Sequence, residues 1–165
     1  LGIPVPSGIN AGGSLLVEGP SGATADALAA GARTFTAGPS GGSFGVFYAG
    51  LSRSDTAGDV AYVYGLQQND RLRSNFAAVN RGDAGDDVTL RITFYDATGH
   101  VLANPETRTL PPGVWFQLNQ PLSSRGANAG YAKIERISGR SRFVAYGVLN
   151  DQVNSDGSYV SMTVP

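Results

Sequence analysis

Apolar and polar positions alternate most regularly along Asp87-Val-Thr-Leu-Arg-Ile-Thr-Phe-Tyr95. Val88, Leu90, Ile92 and Phe94 share one parity; Thr89, Arg91, Thr93 and Tyr95 share the other. Successive strand side chains point to opposite faces, so this pattern predicts a half-buried antiparallel strand. Asp96-Ala-Thr-Gly99 predicts a turn, with His100–Ala103 pairing back; Pro105 interrupts before Glu106–Leu110 resumes. Pro111-Pro112-Gly113 predicts the next turn and Val114–Leu118 the next strand. Tyr131–Ile137 and Arg142–Leu149 flank Ser138-Gly-Arg-Ser141 as a hairpin, and Ser158–Val164 follows the Asn154–Gly157 turn. Upstream, Val60–Tyr64, Arg73–Val79, Ser43–Tyr48 and Arg33–Thr36 read as strands, and Ser14–Glu18 as a weaker one. Ala23–Ala30 stays open between an extended connection and one helical turn, since its alanines favour helix but no 3.6-residue stripe supports it. About ten to twelve short strands at this spacing predict an all-β fold, an antiparallel β-sandwich of Ig-like or jelly-roll-like type. Its expected core holds Val88, Leu90, Ile92, Phe94, Trp115, Ile134, Phe143 and Val148.

Composition changes this picture in one place. The 165 residues suit a single domain over 1–165, large enough to bury a core without staples. Glycine (23) and proline (9) are abundant, and residues 1–50 carry only Glu18, Asp26 and Arg33 as charges. Glycine loses the most backbone freedom on ordering and brings no side chain to bury. The glycine-rich 1–30 segment is therefore expected to be extended or engaged in assembly. The absence of cysteine excludes disulfides, thiol nucleophiles and thiolate metal sites. A net charge of −1 gives no footprint for nucleic acid. No apolar run approaches the ~20 residues of a membrane-spanning helix, so membrane insertion is not expected. No signal peptide is read, and the start at Leu1 suggests a mature or excised piece.

The residues that could carry chemistry are few. Glu18, Glu106 and Glu135 are the only glutamates, and Glu135 alternates with Lys133 on an apparent solvent face. Carboxylate catalysis needs a raised-pKa acid with a partner about 5–9 Å away, and this pattern suggests neither. His100 is the sole histidine, placed in a turn, and no serine sits in a strand–turn–helix elbow. The chain is thus expected not to be an enzyme. Arg81-Gly82-Asp83 matches an adhesion tripeptide and lies between two strands; its plain alternative is a Gly/Asp turn that follows an arginine. Asp83, Asp86 and Asp87 share that loop, and Asp151, Asn154 and Asp156 cluster near the C-terminus. Calcium takes about six to eight oxygen ligands, which such loops can supply, although neither has the spacing of a helix–loop–helix calcium site. The alternative is Asx-turn duty, with carboxylates capping backbone N–H groups. Trp115, with Tyr62, Tyr64, Tyr131 and Tyr146, could form a flat sugar-stacking platform, with Gln117 and Asn119 as hydrogen-bonding partners. Against it stands the ordinary use of aromatic rings as core filling.

Several motifs in order resemble a β-sandwich module repeated in secreted and cell-surface proteins of GC-rich bacteria. Gly31-Ala-Arg-Thr-Phe35 with Gly41-Gly-Ser-Phe-Gly45 is similar to its "sRTYn…GTfGQ" stretch. Leu66–Asn75 resembles "L…n…fRtNl", Asn80-Arg-Gly82 "vNlG", and Val88–Gly99 "vtvtlyDa.G". Leu110-Pro-Pro-Gly113, Gln117-Leu-Asn119, Gly130-Tyr-Ala132 and Ala145–Asp151 continue the series over about residues 30–165. The resemblance implies a non-catalytic, Ig-like, extracellular or cell-surface module whose ligands are generally unassigned. Such modules usually have a further half upstream, and Ile9–Glu18 resembles its last piece. A sandwich short of strands exposes an edge, so completion by strand exchange with a neighbouring chain is one expectation. The functional expectation is a structural or adhesive module that self-assembles into oligomers or fibres, or pairs with another cell-surface protein. The alternatives are a glycan-binding module using Trp115, Gln117 and Asn119, and a calcium-dependent adhesin.

Overall fold

A computed structural model describes residues 12–22, 24, 28–38 and 41–165. Its ten strands are β1 (Gly31–Ala37), β2 (Ser43–Ala49), β3 (Val60–Gln67), β4 (Leu72–Asn80), β5 (Val88–Asp96), β6 (Glu106–Leu110), β7 (Trp115–Asn119), β8 (Ala129–Ser138), β9 (Phe143–Asp151) and β10 (Gly157–Ser161). One sheet runs β3-β8-β5-β6, a second runs β10-β9-β4-β7, and β1 and β2 form a separate hairpin. Every pairing between named strands is antiparallel. The chain is an all-β protein consistent with a β-sandwich, as its alternation predicts. Both four-stranded sheets come from residues 60–161, which leaves the hairpin and residues 12–19 outside them.

The period-2 pattern decides which side chains meet between the sheets. Val88, Leu90, Ile92 and Phe94 of β5 join Ile134 of β8, Val63 and Leu66 of β3, and Phe76, Ala78, Phe143 and Ala145 of the opposite sheet. Phe76 sits at the centre, edge-on to Phe94 at 5.6 Å and to Phe116 at 6.2 Å. Asn80 is the largest polar side chain in this interior and is completely buried. The chain passes between sheets by short backbone exchanges. Ala57 pairs with Phe143, and beyond β10 Thr163 pairs with Tyr62 on the edge of β3.

Four expectations are corrected. Trp115 is not in the core: Phe116 and Leu118 of β7 pack against the core cluster, so Trp115, Gln117 and Asn119 take the opposite face. Val148 is buried, but it shares parity with Tyr146 rather than with Phe143 and Ala145, and so faces away from the intersheet core. His100–Ala103 does not form a strand. Tyr95 bridges Val101 while Ile92 pairs with Glu106, so the returning chain bulges by two residues around Pro105, which has no N–H to donate. Ser14–Glu18 likewise lies outside regular strand structure. Most of Ala23–Ala27 and the start of the Ile9–Glu18 piece fall outside the described residues.

Candidate interaction site

Strand parity places Trp115, Gln117 and Asn119 side by side on the outer face of the second sheet. The Trp115 indole Nε1–H donates to Tyr146 Oη at 2.8 Å, and the Gln117 amide donates to Asn119 Oδ1. Tyr48 of the hairpin meets Tyr146 and Tyr159 at 5.8 and 5.7 Å, both edge-on. Burial, with the neighbouring phenols, pushes the Tyr159 hydroxyl up to about 12. Burial also raises Tyr146, against the opposing effect of the Trp115 hydrogen bond. These phenols stay neutral and serve as packing and hydrogen-bonding groups.

The hairpin leans on this face. Val46 seats against Gly157, where a Cβ would collide with it, and the Gly45 N–H donates to Asp156 Oδ1 at 3.1 Å. Residues 12–17 pass along the other side: the Gly12 backbone lies against the Trp115 ring, leaving no room for a side chain, and Ser14 Oγ donates to the Gly113 carbonyl at 2.8 Å. Between hairpin, N-terminal segment and sheet is an open cleft of about 980 Å³, lined by Trp115, Gln117, Asn119, Tyr48, Tyr146 and Tyr159 among others. The structure therefore gathers all three sequence-predicted ligand residues at one cleft.

The opposite side of the hairpin is open. Arg33, Phe35 and Phe47 point outward, with the Arg33 guanidinium 5.7 Å from the Phe35 ring centroid. Phe35 is 68% exposed and Phe47 61%, while Leu15 and Leu16 nearby in sequence are 66% and 64% exposed. Among the described residues, β1 pairs with β2 alone, which leaves its other backbone edge unpaired.

The carboxylate of the Arg81-Gly82-Asp83 tripeptide is engaged within the protein. Asp83 accepts the Arg142 N–H at 2.8 Å and faces the guanidinium groups of Arg81 (3.5 Å) and Arg53 (3.6 Å). Its side chain is only 11% exposed. Burial raises the Asp83 carboxyl, but the Arg142 bond and the two arginine charges outweigh it, so the group lies below its ordinary value. Asp86 binds Ser141 Oγ (2.7 Å), Ser141 N (3.0 Å) and Arg140 N (2.9 Å); the Ser141 hydroxyl first, then these backbone donors, hold it well below the usual carboxylate range. Asp87 is exposed. Asp83, Asp86 and Asp87, the expected calcium ligands, do not converge: among the described residues no three His, Asp or Glu side chains come together as a metal group. Asp151 accepts the N–H groups of Val153 and Asn154, an Asx turn that employs its carboxylate locally.

The seven tyrosines divide between the two outer faces, with none in the core cluster. Tyr48, Tyr146 and Tyr159 form the cluster beneath the hairpin. Tyr62, Tyr64, Tyr131 and Tyr95 form a row on the outside of the first sheet, at centroid spacings of 5.5, 5.4 and 4.8 Å. The single platform expected from sequence is thus two separate sites on opposite sides of the sandwich. Tyr95 was the member that sequence reasoning missed; its parity with Thr93 and Arg91 was the available signal. Beside the row, Lys133 pairs with Glu135 at 3.0 Å, and Glu135 with Arg91 at 3.2 Å. His100 sits in an exposed turn against Thr98 Oγ1 at 2.8 Å.

No protein-family profile, curated protein or solved structure matches this chain.

Proposed function

We propose that the chain is a non-catalytic β-sandwich module, extracellular or on the cell surface, that joins a second copy of itself through its N-terminal third. One observation carries this reading. Among the described residues thirteen large hydrophobic side chains are exposed, and seven of them lie between Leu15 and Leu51. Only three charged residues occupy positions 1–50. Exposed apolar side chains concentrated in one charge-poor segment, with Phe35 and Phe47 together on the outer face of the hairpin, mark an interaction site. Among the described residues one edge of β1 has no partner strand, and it supplies backbone groups for strand addition beside these side chains. The non-catalytic part is supported by the acids: Glu106 pairs with Arg108 and Arg125, and Glu135 with Lys133 and Arg91.

Sedimentation velocity over a concentration series tests the reading. The unmodified chain should associate, and a Phe35→Ser/Phe47→Ser variant should sediment as a monomer. Burying a phenylalanine stabilises by roughly 1.5–3 kcal/mol, so losing both should weaken association by at least about a hundredfold. Neither ring belongs to the core, so the melting temperature should hold. A clean monomer of the unmodified chain at high concentration would sink the proposal.

A second reading is supported by the cleft itself. Trp115, Gln117 and Asn119 combine an aromatic ring with amide donors and acceptors on one strand, the combination that recognises a sugar. On a glycan array, binding should appear with the unmodified chain and vanish with Trp115→Ala, whose fold should survive. An array blank for both proteins removes this reading.

A further inference from the structure

The four-tyrosine row is not used by either reading above, and its geometry does not suit sugar stacking. Tyr95 and Tyr131 lie 4.8 Å apart with planes only 5° from parallel, and Tyr62 and Tyr64 5.5 Å apart at 5°. At such separations near-parallel rings are offset-stacked, and each takes up part of its neighbour's face. What the row offers to solvent is phenol edges and hydroxyls. Tyr64 is the most open of the four at 47%, while Tyr62, Tyr95 and Tyr131 are half-buried.

We propose that this row is an oxidative cross-linking site, in which Tyr64 of one chain becomes bonded to Tyr64 of another. The co-reactant is hydrogen peroxide, acting through a haem peroxidase. Each tyrosine gives up one electron and its phenol proton to form a phenoxyl radical. Two radicals join through their Cε carbons, and the hydrogen on each bonded carbon returns to oxygen to restore the phenols. Two electrons and two protons leave in total, and they reduce one hydrogen peroxide to two waters.

The close spacing of the rings accounts for the choice of residue. Centroids along the row lie 4.8–5.5 Å apart, the tilted Tyr64–Tyr131 contact (5.4 Å, 40°) included, close enough for an electron to pass, so oxidation at Tyr95, Tyr131 or Tyr62 migrates along the row to the most accessible ring. The new carbon–carbon bond lies in the ring planes, whereas stacked pairs present faces to each other. Tyr95 and Tyr131 therefore do not close on themselves, and the exposed edge of Tyr64 meets a second molecule. The other three tyrosines are less open than Tyr64: Tyr48, Tyr146 and Tyr159 are half-buried and pack on each other between hairpin and sheet, and Tyr146 Oη is held by Trp115. Charge opposes the encounter little, because Lys133 and Arg91 beside the row share the Glu135 carboxylate and the three groups leave a single positive charge. Collision of two monomers suffices, so this inference does not rest on assembly through the hairpin.

The experiment treats the purified chain with horseradish peroxidase and hydrogen peroxide. The covalent dimer is read on a denaturing gel, dityrosine by its fluorescence, and the linked residues by peptide mass spectrometry. The expected result is a dityrosine dimer mapped to Tyr64, with most of it lost in Tyr64→Phe. Tyr131→Phe, which keeps the ring but not the phenol, should lower the yield at an intact Tyr64, whereas Tyr159→Phe should leave it unchanged. Circular dichroism melts of these isosteric variants check the fold. Dimer yield unaffected by Tyr64→Phe, bonds mapped mainly to Tyr48, Tyr146 or Tyr159, or no dityrosine would each overturn the proposal. An unchanged yield in Tyr131→Phe would overturn the relay.

Discussion

Phe76→Ala is expected to cost about 3–5 kcal/mol of unfolding free energy, the usual range for emptying a buried aromatic site. Phe76 has no solvent exposure and lies on β4, between β9 and β7. Its ring contacts Phe94 across the sandwich and Phe116 on its own sheet, both edge-on. Such pairs contribute about 0.5–1.5 kcal/mol beyond the area they bury. Its neighbours are tied into ladders on both sides, so the cavity should not collapse. Domains are commonly stable by only about 5–15 kcal/mol, so the variant should unfold at much lower urea or not fold at all. A loss below about 1 kcal/mol would show that the site repacks, and would displace Phe76 from the centre of the core.

Asn80→Ala is expected to cost at least about 3 kcal/mol, by a different route. The Asn80 amide donates to the carbonyls of Leu110 (2.8 Å) and Asp86 (2.9 Å), and its Oδ1 accepts the Gly82 N–H at 2.8 Å. One fully buried side chain thus ties β4 to the end of β6 in the other sheet and shapes the 81–87 loop. Removing it strands three backbone groups, each costing about 1–3 kcal/mol if buried without a partner. Asn80→Asp separates this account from simple space filling. The carboxylate has the right size but cannot donate, so at neutral pH it should destabilise at least as much as alanine does. Lower pH should restore part of the loss as the acid regains a proton. If Asn80→Asp leaves the denaturation midpoint unchanged, the hydrogen bonds are not what Asn80 contributes.

These two positions show what alternation reveals and what it hides. Phe94, Ile92 and Leu90 were readable as core because polar threonines and an arginine mark the opposite face of β5. On β7, Val114-Trp-Phe-Gln-Leu118 places large apolar groups on both parities, so Trp115 was misassigned. Gln117 and Asn119, sharing its parity, were the clue. Asn80 carried no apolar signal at all. Its role depends on Leu110 and Asp86, which are distant or looped away in sequence and adjacent only after folding. The same holds for the site residues. Arg81-Gly82-Asp83 looked displayed because it sits between strands, yet Arg53 and Arg142 reach it from remote segments and occupy its carboxylate. Two of the three clustered aspartates are engaged in the same way: Ser141 and Arg140 hold the oxygens of Asp86, and the Arg142 N–H one oxygen of Asp83.

The sequence by itself determined that this protein is built of short antiparallel strands. Strand alternation and turn chemistry are local properties, written in neighbouring residues. It also located the odd region, the glycine-rich and charge-poor first third, where the exposed phenylalanines and leucines now lie. Only the tertiary structure decided which sheet each tyrosine joins, and so turned one imagined platform into a row on one face and a cluster on the other. That outcome depends on strand order and register, which bring Tyr62, Tyr64, Tyr95 and Tyr131 together from three strands. Periodicity says which residues share a face of one strand; pairing between distant strands decides whose company they keep.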